Sequence, residues 1–445
     1  MNIKIGKESD INVLFVDNGK KCPIGFNGKN GEIVSTNNTV LVGIKGIKNK
    51  EDWRVLGVKL TGYLMKSGIK DVNIAVPKKC GDFIEGIALG SYKFSYKTDK
   101  KKTKLKTIYV SSKSDIKNTV AESIKRAQAT NFTRDWVNTP PEDANSMSIE
   151  QKVVSMFKGT DVNVSVYGED ILIKNGMNAH LAVNRASRHE AKTIKLTYEP
   201  KDYDKHHIFV GKGLTYDSGG LSIKPGQHMT TMKADKAGAM TVWGLMKYLS
   251  ESKSTNKVTV YMGIAENMID GSAYKPDDVL TAMNGKTIHI KNTDAEGRLV
   301  LFDNLCLAQK ENKKFDTIHT LATLTGAAVY SFGDEVGALV GFNEKLKRQV
   351  KKTGEKSGEL FTVTEFHKYM MDGVNDTIAD LSNTGTAGMG CQKAGLFLTN
   401  AITKKNKNKY CHWDIAGPAF VDKAFGHNPA GGTGFGVRTL IDFVK

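Results

Sequence analysis

Hydrophobic positions in the first part of the chain fall in short β-type runs, INVLFV, TVLVGI, DVNIAVP and KTIYVS. Between them EDWRVLGVKLTGYLMKSG repeats its apolar residues at helical spacing. Such alternation predicts an α/β layout with a parallel or mixed sheet. The lysine-rich stretch KTDKKKTKLK reads as a surface hairpin or loop. A helical segment over 115–137 follows and stops at Thr139-Pro140-Pro141, because proline disfavours helix at the residue before it. This helix is expected to connect two domains, 1–114 and 138–445.

The second part alternates again. VNVSVYG and TIKLTYE read as strands, and HHIFVGKGL reads as a strand leading into a glycine-rich loop. KAGAMTVWGLMKYL and RLVLFDNLCLAQKE read as helices, and KVTVYMGIAENM, KTIHIKN and DTIHTLATLTG as strands. HWDIAGPAF is a late strand end, and TGFGVRTLIDFVK closes on a helix. The expected fold is therefore two α/β domains joined by a long helix, the C-terminal one with a central mixed sheet flanked by helices. Ligands in such sheets gather at the carboxyl ends of parallel strands.

Length and composition fit this picture: 445 residues, 40% hydrophobic, suffice for two cores. The formal charge of +17 invites a nucleic-acid reading, but the lysines are scattered, with only local runs such as Lys100-Lys101-Lys102 and KKNKNK at 404–409. A solvated basic surface is the plainer reading. Five widely spaced cysteines, Cys22, Cys80, Cys306, Cys391 and Cys411, form no metal or disulfide framework and read as reduced thiols. The start, MNIKIGKESD, has no apolar signal region, and no run approaches a membrane span, so a cytoplasmic protein without membrane partners is expected.

The chemistry concentrates in two stretches. KNTDAEGRL, at 291–299, places Asp294, Glu296 and Arg298 on alternate positions, with Gly297 between the acids and the arginine. In an extended stretch these would share a face, and the repulsion between close carboxylates calls for a cation, whether side chain or metal. VGKGLTYDSGGLSIKPGQHMTTMKAD, at 210–235, adds Lys212, Asp217, Lys224 and Asp235. Its glycines Gly211, Gly213, Gly219 and Gly220 are expected to make tight turns near a ligand. Asp217, Asp235, Asp294 and Glu296 make four carboxylates, a donor set suited to two divalent ions such as Mg, Mn or Zn. An isolated Asp-x-Glu is more often a solvated loop, and spacing alone does not show that the four converge. His189-Glu190 lacks the second histidine of a helix-borne zinc site, and neither a dinucleotide nor a P-loop glycine pattern is present.

The strings VGKGLTYDSGGLSIKP, MKAD and NTDAEGRL resemble the leucyl (cytosol) aminopeptidase family of dinuclear metallo-exopeptidases. The likeness continues through VNTPP, LATLTGA, ADLSNTGTAG, LFLTNAI, WDIAGPA and TGFGVRTLIDF, over about three quarters of the chain. It implies a looser metal site held by Asp217, Asp294 and Glu296 and a tighter one held by Lys212, Asp217, Asp235 and Glu296. The ions would be Zn or Mn, with Co and Mg also suited. The peptide's free α-amine would bind the tighter ion, which limits cleavage to the first residue. Lys224 would polarise the scissile carbonyl, and Arg298 would hold a bicarbonate ion acting as general base. The first side-chain pocket would be lined by Met232, Thr323, Gly326 and Ala416, with Ala419 a further candidate, and would favour Leu or another apolar residue. The resemblance also implies a homohexamer acting on peptides, while a nucleic-acid-binding member of the same fold is the alternative. Two departures stand out: Lys236 replaces a usually apolar residue, and uncharged Thr386 and Ala387 follow Asn383-Thr384-Gly385 where some members carry a basic residue.

Overall fold

The computed structural model describes residues 1–17, 25–77, 80–99 and 103–445; Cys22 and Lys100-Lys101-Lys102 lie outside them. The chain forms two compact units, Met1–Asn131 with Ala424–Pro429, and Phe132–Lys423 with Ala430–Lys445. Helix Lys117–Asn138 spans the sequence boundary between them.

In the first unit the strands are β1 (Asn2–Ile5), β2 (Asn12–Val16), β3 (Ile33–Thr36), β4 (Thr39–Gly43), β5 (Asp71–Ala75) and β6 (Thr107–Ser111). They form one sheet in the order β1-β6-β5-β2-β4-β3, parallel except at the β3–β4 pair. The four predicted runs became β2, β4, β5 and β6. The two strands the pattern missed, β1 and β3, are the four-residue edges, mostly open to water and so weakly patterned. Helix Lys50–Lys66 starts on a capping box between Asn49 and Asp52. It crosses a second helix, Gly81–Gly90, at close range: a Cβ on Gly86 would lie 2.1 Å from the Arg54 carbonyl oxygen.

The second unit is built on β7 (Val162–Tyr167), β8 (Lys192–Tyr198), β9 (His206–Asp217), β10 (Lys257–Asn267), then β13 (Thr317–Ala322), β14 (Val336–Val340), β15 (Leu360–Val363) and β17 (Tyr410–Asp414). Their order is β15-β14-β17-β13-β9-β10-β8-β7. The centre, β17-β13-β9-β10, is parallel, and antiparallel pairs flank it, so the sheet is mixed as expected. The KTIHIKN run does not join it. Its strand β12 (Thr287–His289) pairs instead with β11 (Val279–Thr281) and β16 (Leu381–Ser382) in a separate three-stranded sheet.

Strand β9 departs from expectation in a way that matters for the site. It does not end at the first glycines but runs on to Asp217. Gly211 and Gly213 are close-packing positions rather than turns, since a Cβ on Gly211 would lie 2.5 Å from the Ala239 Cα of helix Ala237–Ser250. Past Leu214 the pairing with β10 slips: β9 advances from Leu214 to Asp217 while β10 advances only from Ala265 to Asn267. The extra residue is a β-bulge, and it reverses the alternation of side chains along β9. Lys212 and Asp217, which an uninterrupted strand would point to opposite faces, thereby come to one side.

Helix Gly297–Glu311, carrying the second acidic motif, lies against β10 and helix Asn178–Asn184. His180 connects all three: its Nε2 lies 3.0 Å from the Ile264 carbonyl, and Asn304 Nδ2 lies 3.2 Å from its Nδ1. A donor at Nε2 and an acceptor at Nδ1 make this ring neutral. Burial pulls its pKa down to about 4; it does the same to His207, to about 4, and to His412, to about 3. Folded pKa values below the unfolded value near 6.5 contribute stability that is present above that pH and lost as pH falls towards 4. Unfolding midpoints are therefore expected to drop steeply between about pH 6.5 and 4. Denaturant titrations of His180→Gln should show a shallower drop than wild type.

Candidate metal centre

Four segments meet at the carboxyl end of the parallel strands. Strand β9 supplies Lys212 and Asp217, the loop after it Lys224, the 3₁₀ turn Met232–Lys236 Asp235, and the 291–298 turn Asp294, Glu296 and Arg298. The Lys212 ammonium donates to Asp235 Oδ1 at 2.7 Å and to the Thr323 carbonyl at 2.9 Å, and pairs with Glu296 Oε1 at 2.9 Å. Lys224 pairs with Asp217 Oδ2 at 2.9 Å and with Asp294. Ligand oxygens of Asp217, Asp294 and Glu296 lie within 4.8 Å of one another. The convergence that spacing could not show is thus present. It does not arise from an extended stretch: Glu296 already has helical dihedrals, φ −77° and ψ −40°, and caps the helix on which Arg298 sits.

Lys212, Asp217, Asp235 and Glu296 are all buried, and Asp294 is the most open of the acids. Burial, then repulsion from Asp235, raises the Asp217 carboxyl to about 6; burial also raises Asp235 and Asp294. Burial alone would lower the Lys212 ammonium, but Asp235, Glu296 and Asp217 outweigh it and hold the ammonium charged. Lys224 is likewise held above the usual lysine range, by Asp217, Glu296 and Asp235 against its burial. Two ammoniums face four carboxylates, so the cluster is short of positive charge. Asp235 Oδ2 and Glu296 Oε2 are buried with no hydrogen-bond partner. Unpaired buried carboxylate oxygens are destabilising, and an oxygen-rich set of this kind fits divalent cations. Lys212, Asp217, Asp235, Asp294 and Glu296 are the side chains that could hold them.

Residues that the sequence pattern did not single out fix this geometry. Asn267, on the β10 side of the bulge, donates to Asp217 Oδ1 at 2.8 Å and to the Thr293 carbonyl at 3.0 Å. Tyr274 donates to the same carbonyl at 2.6 Å. Asn383 accepts from Arg298 Nη1 through its carbonyl at 2.7 Å and grips the backbone of Lys291 and Asn292. Gly219 and Gly220 are true turn positions, at φ +88° and +64°. Gly297 acts differently, since a Cβ there would lie 2.4 Å from Lys212 Cε. The glycine between acid and arginine leaves a lane for the lysine stem. The one legible signal for Asn267 is the polar pair Glu266-Asn267 ending a largely apolar strand run, YMGIAEN.

Of the four pocket candidates, Thr323 touches the carboxylates directly. Thr323 donates to Asp235 Oδ1 at 2.8 Å, and Met232 opens the turn that carries Asp235. The carboxylate of buried Asp414 accepts from Leu324 N, Thr325 Oγ1 and Ala416 N, tying the turn that leads to Gly326 to the loop bearing Ala416. Ala419 is only 2% exposed and offers no open surface. Lys236 turns away from the carboxylates and donates to the carbonyls of Lys233 at 2.6 Å and Thr139 at 3.1 Å. Burial, and then Lys233, pull its pKa down to about 7.

The model of the cytosol aminopeptidase family's catalytic domain matches residues 131–441. This chain belongs to the cytosol aminopeptidase family. It is 40% identical over 399 residues to a probable cytosol aminopeptidase of Campylobacter jejuni, covering 86% of this chain and 82% of that one. A probable cytosol aminopeptidase of Helicobacter hepaticus is 39% identical over 434 residues, covering 94% and 90%. Among solved structures, the bottromycin maturation enzyme BotP in complex with Mn superposes with a TM-score of 0.90 at 28% identity, covering 98% of this chain and 99% of BotP. The protein is accordingly an aminopeptidase of a metal-dependent family of hydrolases. The nucleic-acid reading invited by the charge finds no support in these matches. Among the described residues no helix is long and apolar enough to cross a membrane, and Cys80, Cys306, Cys391 and Cys411 are free thiols.

Gly297→Ala is expected to displace Lys212 and lower both metal content, read by atomic absorption, and aminopeptidase activity, by about 10²-fold. Lys236→Met, which removes an ammonium that serves no carboxylate, should keep wild-type activity and raise the unfolding midpoint.

Proposed function

We propose that the chain removes the N-terminal residue, preferably leucine or another apolar one, from peptides at a centre holding two divalent ions. The observation that carries this is the buried cluster of four carboxylates threaded by Lys212 and Lys224. Asp217, Asp294 and Glu296 would hold one ion, and Lys212, Asp217, Asp235 and Glu296 the other. When bound, the ions lower the pKa of a shared water and polarise the scissile carbonyl.

The chain's own groups supply the rest. Lys224, held charged by Asp217, donates to the oxyanion that develops on the carbonyl; one such donor is worth about 10²–10³ in rate. Arg298 Nε is buried with no hydrogen-bond partner, which leaves a charged donor for an anion. We assign bicarbonate to it, as the base that accepts the proton of the attacking water. Met232, Thr323, Gly326 and Ala416 line the first side-chain pocket, whose one hydroxyl is already engaged with Asp235. Lys212 would hold an ion as the free amine, and its ammonium would then have to give up a proton.

Manganese is the first ion to test, given the Mn complex of BotP, and zinc the second; cobalt and magnesium also suit the donors. We further propose that the chain works as a homohexamer in the cytoplasm.

Hydrolysis of leucine anilide is expected to vanish on chelation, return with Mn or Zn, and stay absent in Asp294→Ala. An inactive metal-loaded wild type would overturn the reading. Lys224→Met should retain metal and lose about 10²–10³ in kcat. Metal loading in weak buffer near pH 8 should release more protons from wild type than from Lys212→Met, a difference that pH-stat titration measures directly. Light scattering should report a hexamer of the 48.7 kDa chain.

A further inference from the structure

The loop at 383–389 begins with Asn383, whose carbonyl receives Arg298, and it is unusually shaped. Gly385, Gly388 and Met389 all lie in the left-handed region, at φ +74°, +78° and +50°. For methionine this conformation is sterically unfavourable. A buried side chain ties the loop down from behind. Lys393, on helix Gly390–Thr399, is 2% exposed and reaches back over its own helix start. Its ammonium donates to the Thr386 carbonyl at 2.6 Å, to Thr386 Oγ1 at 2.7 Å and to the Ala387 carbonyl at 2.7 Å. An ammonium has three protons, so all are used. Its stem threads between two glycines: a Cβ on Gly373 would lie 2.9 Å from Lys393 Cε, and one on Gly385 3.4 Å from its Cδ. Thr386 N donates to the Gly373 carbonyl at 2.9 Å, closing the wrap.

This placement is unfavourable by itself. A buried cation served by carbonyls, and standing in the first turns of a helix, meets both a desolvation cost and an opposing dipole. We propose that Lys393 is a positioning residue for Arg298. Its ammonium is an internal cation that gathers the loop's carbonyls, as a bound monovalent ion would, and so fixes the Asn383 carbonyl on which the guanidinium rests. The link to catalysis rests on the role proposed above for Arg298; the ordering of the loop does not.

The test uses the full-length, metal-loaded chain. Lys393→Met keeps the length of the side chain and removes its charge. Expected are a kcat about 10- to 100-fold lower, the size of effect an ~1 Å misplacement produces, with KM and metal content close to wild type. Deuterium exchange of the 383–389 amides should be faster. In Lys393→Ala, added propylammonium should restore both kcat and protection, and 1-butanol should restore neither. Gly373→Ala, which leaves the ammonium but pushes its stem, should give the same exchange signature at smaller size, and serves if the lysine variants do not fold. Wild-type exchange and kcat in Lys393→Met, or rescue of Lys393→Ala by the alcohol as well as the amine, would overturn the proposal. An inactive wild type would instead sink the aminopeptidase reading, while exchange and amine rescue still decide the role of Lys393.

Discussion

Like charges forced together in a space with little water dominate this structure. Four carboxylates lie within reach of two ammoniums, and neither solvent nor hydrogen-bond donors fully satisfy them. The fold resists their separation. Asp217 is held by Asn267 and by the bulge in β9, Glu296 by its helix, and Asp235 by Lys212 and Thr323. Carboxyl groups free to move would splay into water and relieve the repulsion; these stay together.

Close backbone approach makes this rigidity possible. Gly211, Gly213 and Gly238 let helix Ala237–Ser250 press onto β9 and β13, and Gly297 lets the Lys212 stem pass the helix start. Each is a position where the smallest side chain would collide with backbone or with the Lys212 side chain. The same device recurs at Gly373 and Gly385, which clear a path for Lys393. Buried His180 adds a second kind of rigidity, a neutral ring spanning the Ile264 carbonyl and the Asn304 amide where a charged ring could not stay.

Much of this was legible in the chain because acids, lysines and glycines recur in long ordered strings. Those strings marked Lys212, Asp217, Lys224, Asp235, Asp294, Glu296 and Arg298, and the apolar runs marked the central strands. The rest was hidden for physical reasons. Edge strands β1 and β3 are short and wet, and so carry little pattern. Strand β12 has a strand-like sequence, but nothing local says which sheet it joins. Gly211 and Gly219 look alike in sequence, although one accommodates a neighbouring helix and the other a left-handed turn. Lys393 resembles any lysine on an amphipathic helix until the loop it reaches is in place.

The bulge in β9 makes the site depend on a residue count. Everything upstream of Leu214 is registered by ordinary strand pairing, and everything from Asp217 onward depends on one surplus residue. Between them lie Thr215 and Tyr216, whose hydroxyls bond to the carbonyls of Ala265 and Met229 rather than to the acids. Their hydroxyls stay outside the carboxylate cluster, while their number sets its register. Removing one of them would restore regular pairing, leave the core intact, and turn Asp217 to the far side of the sheet.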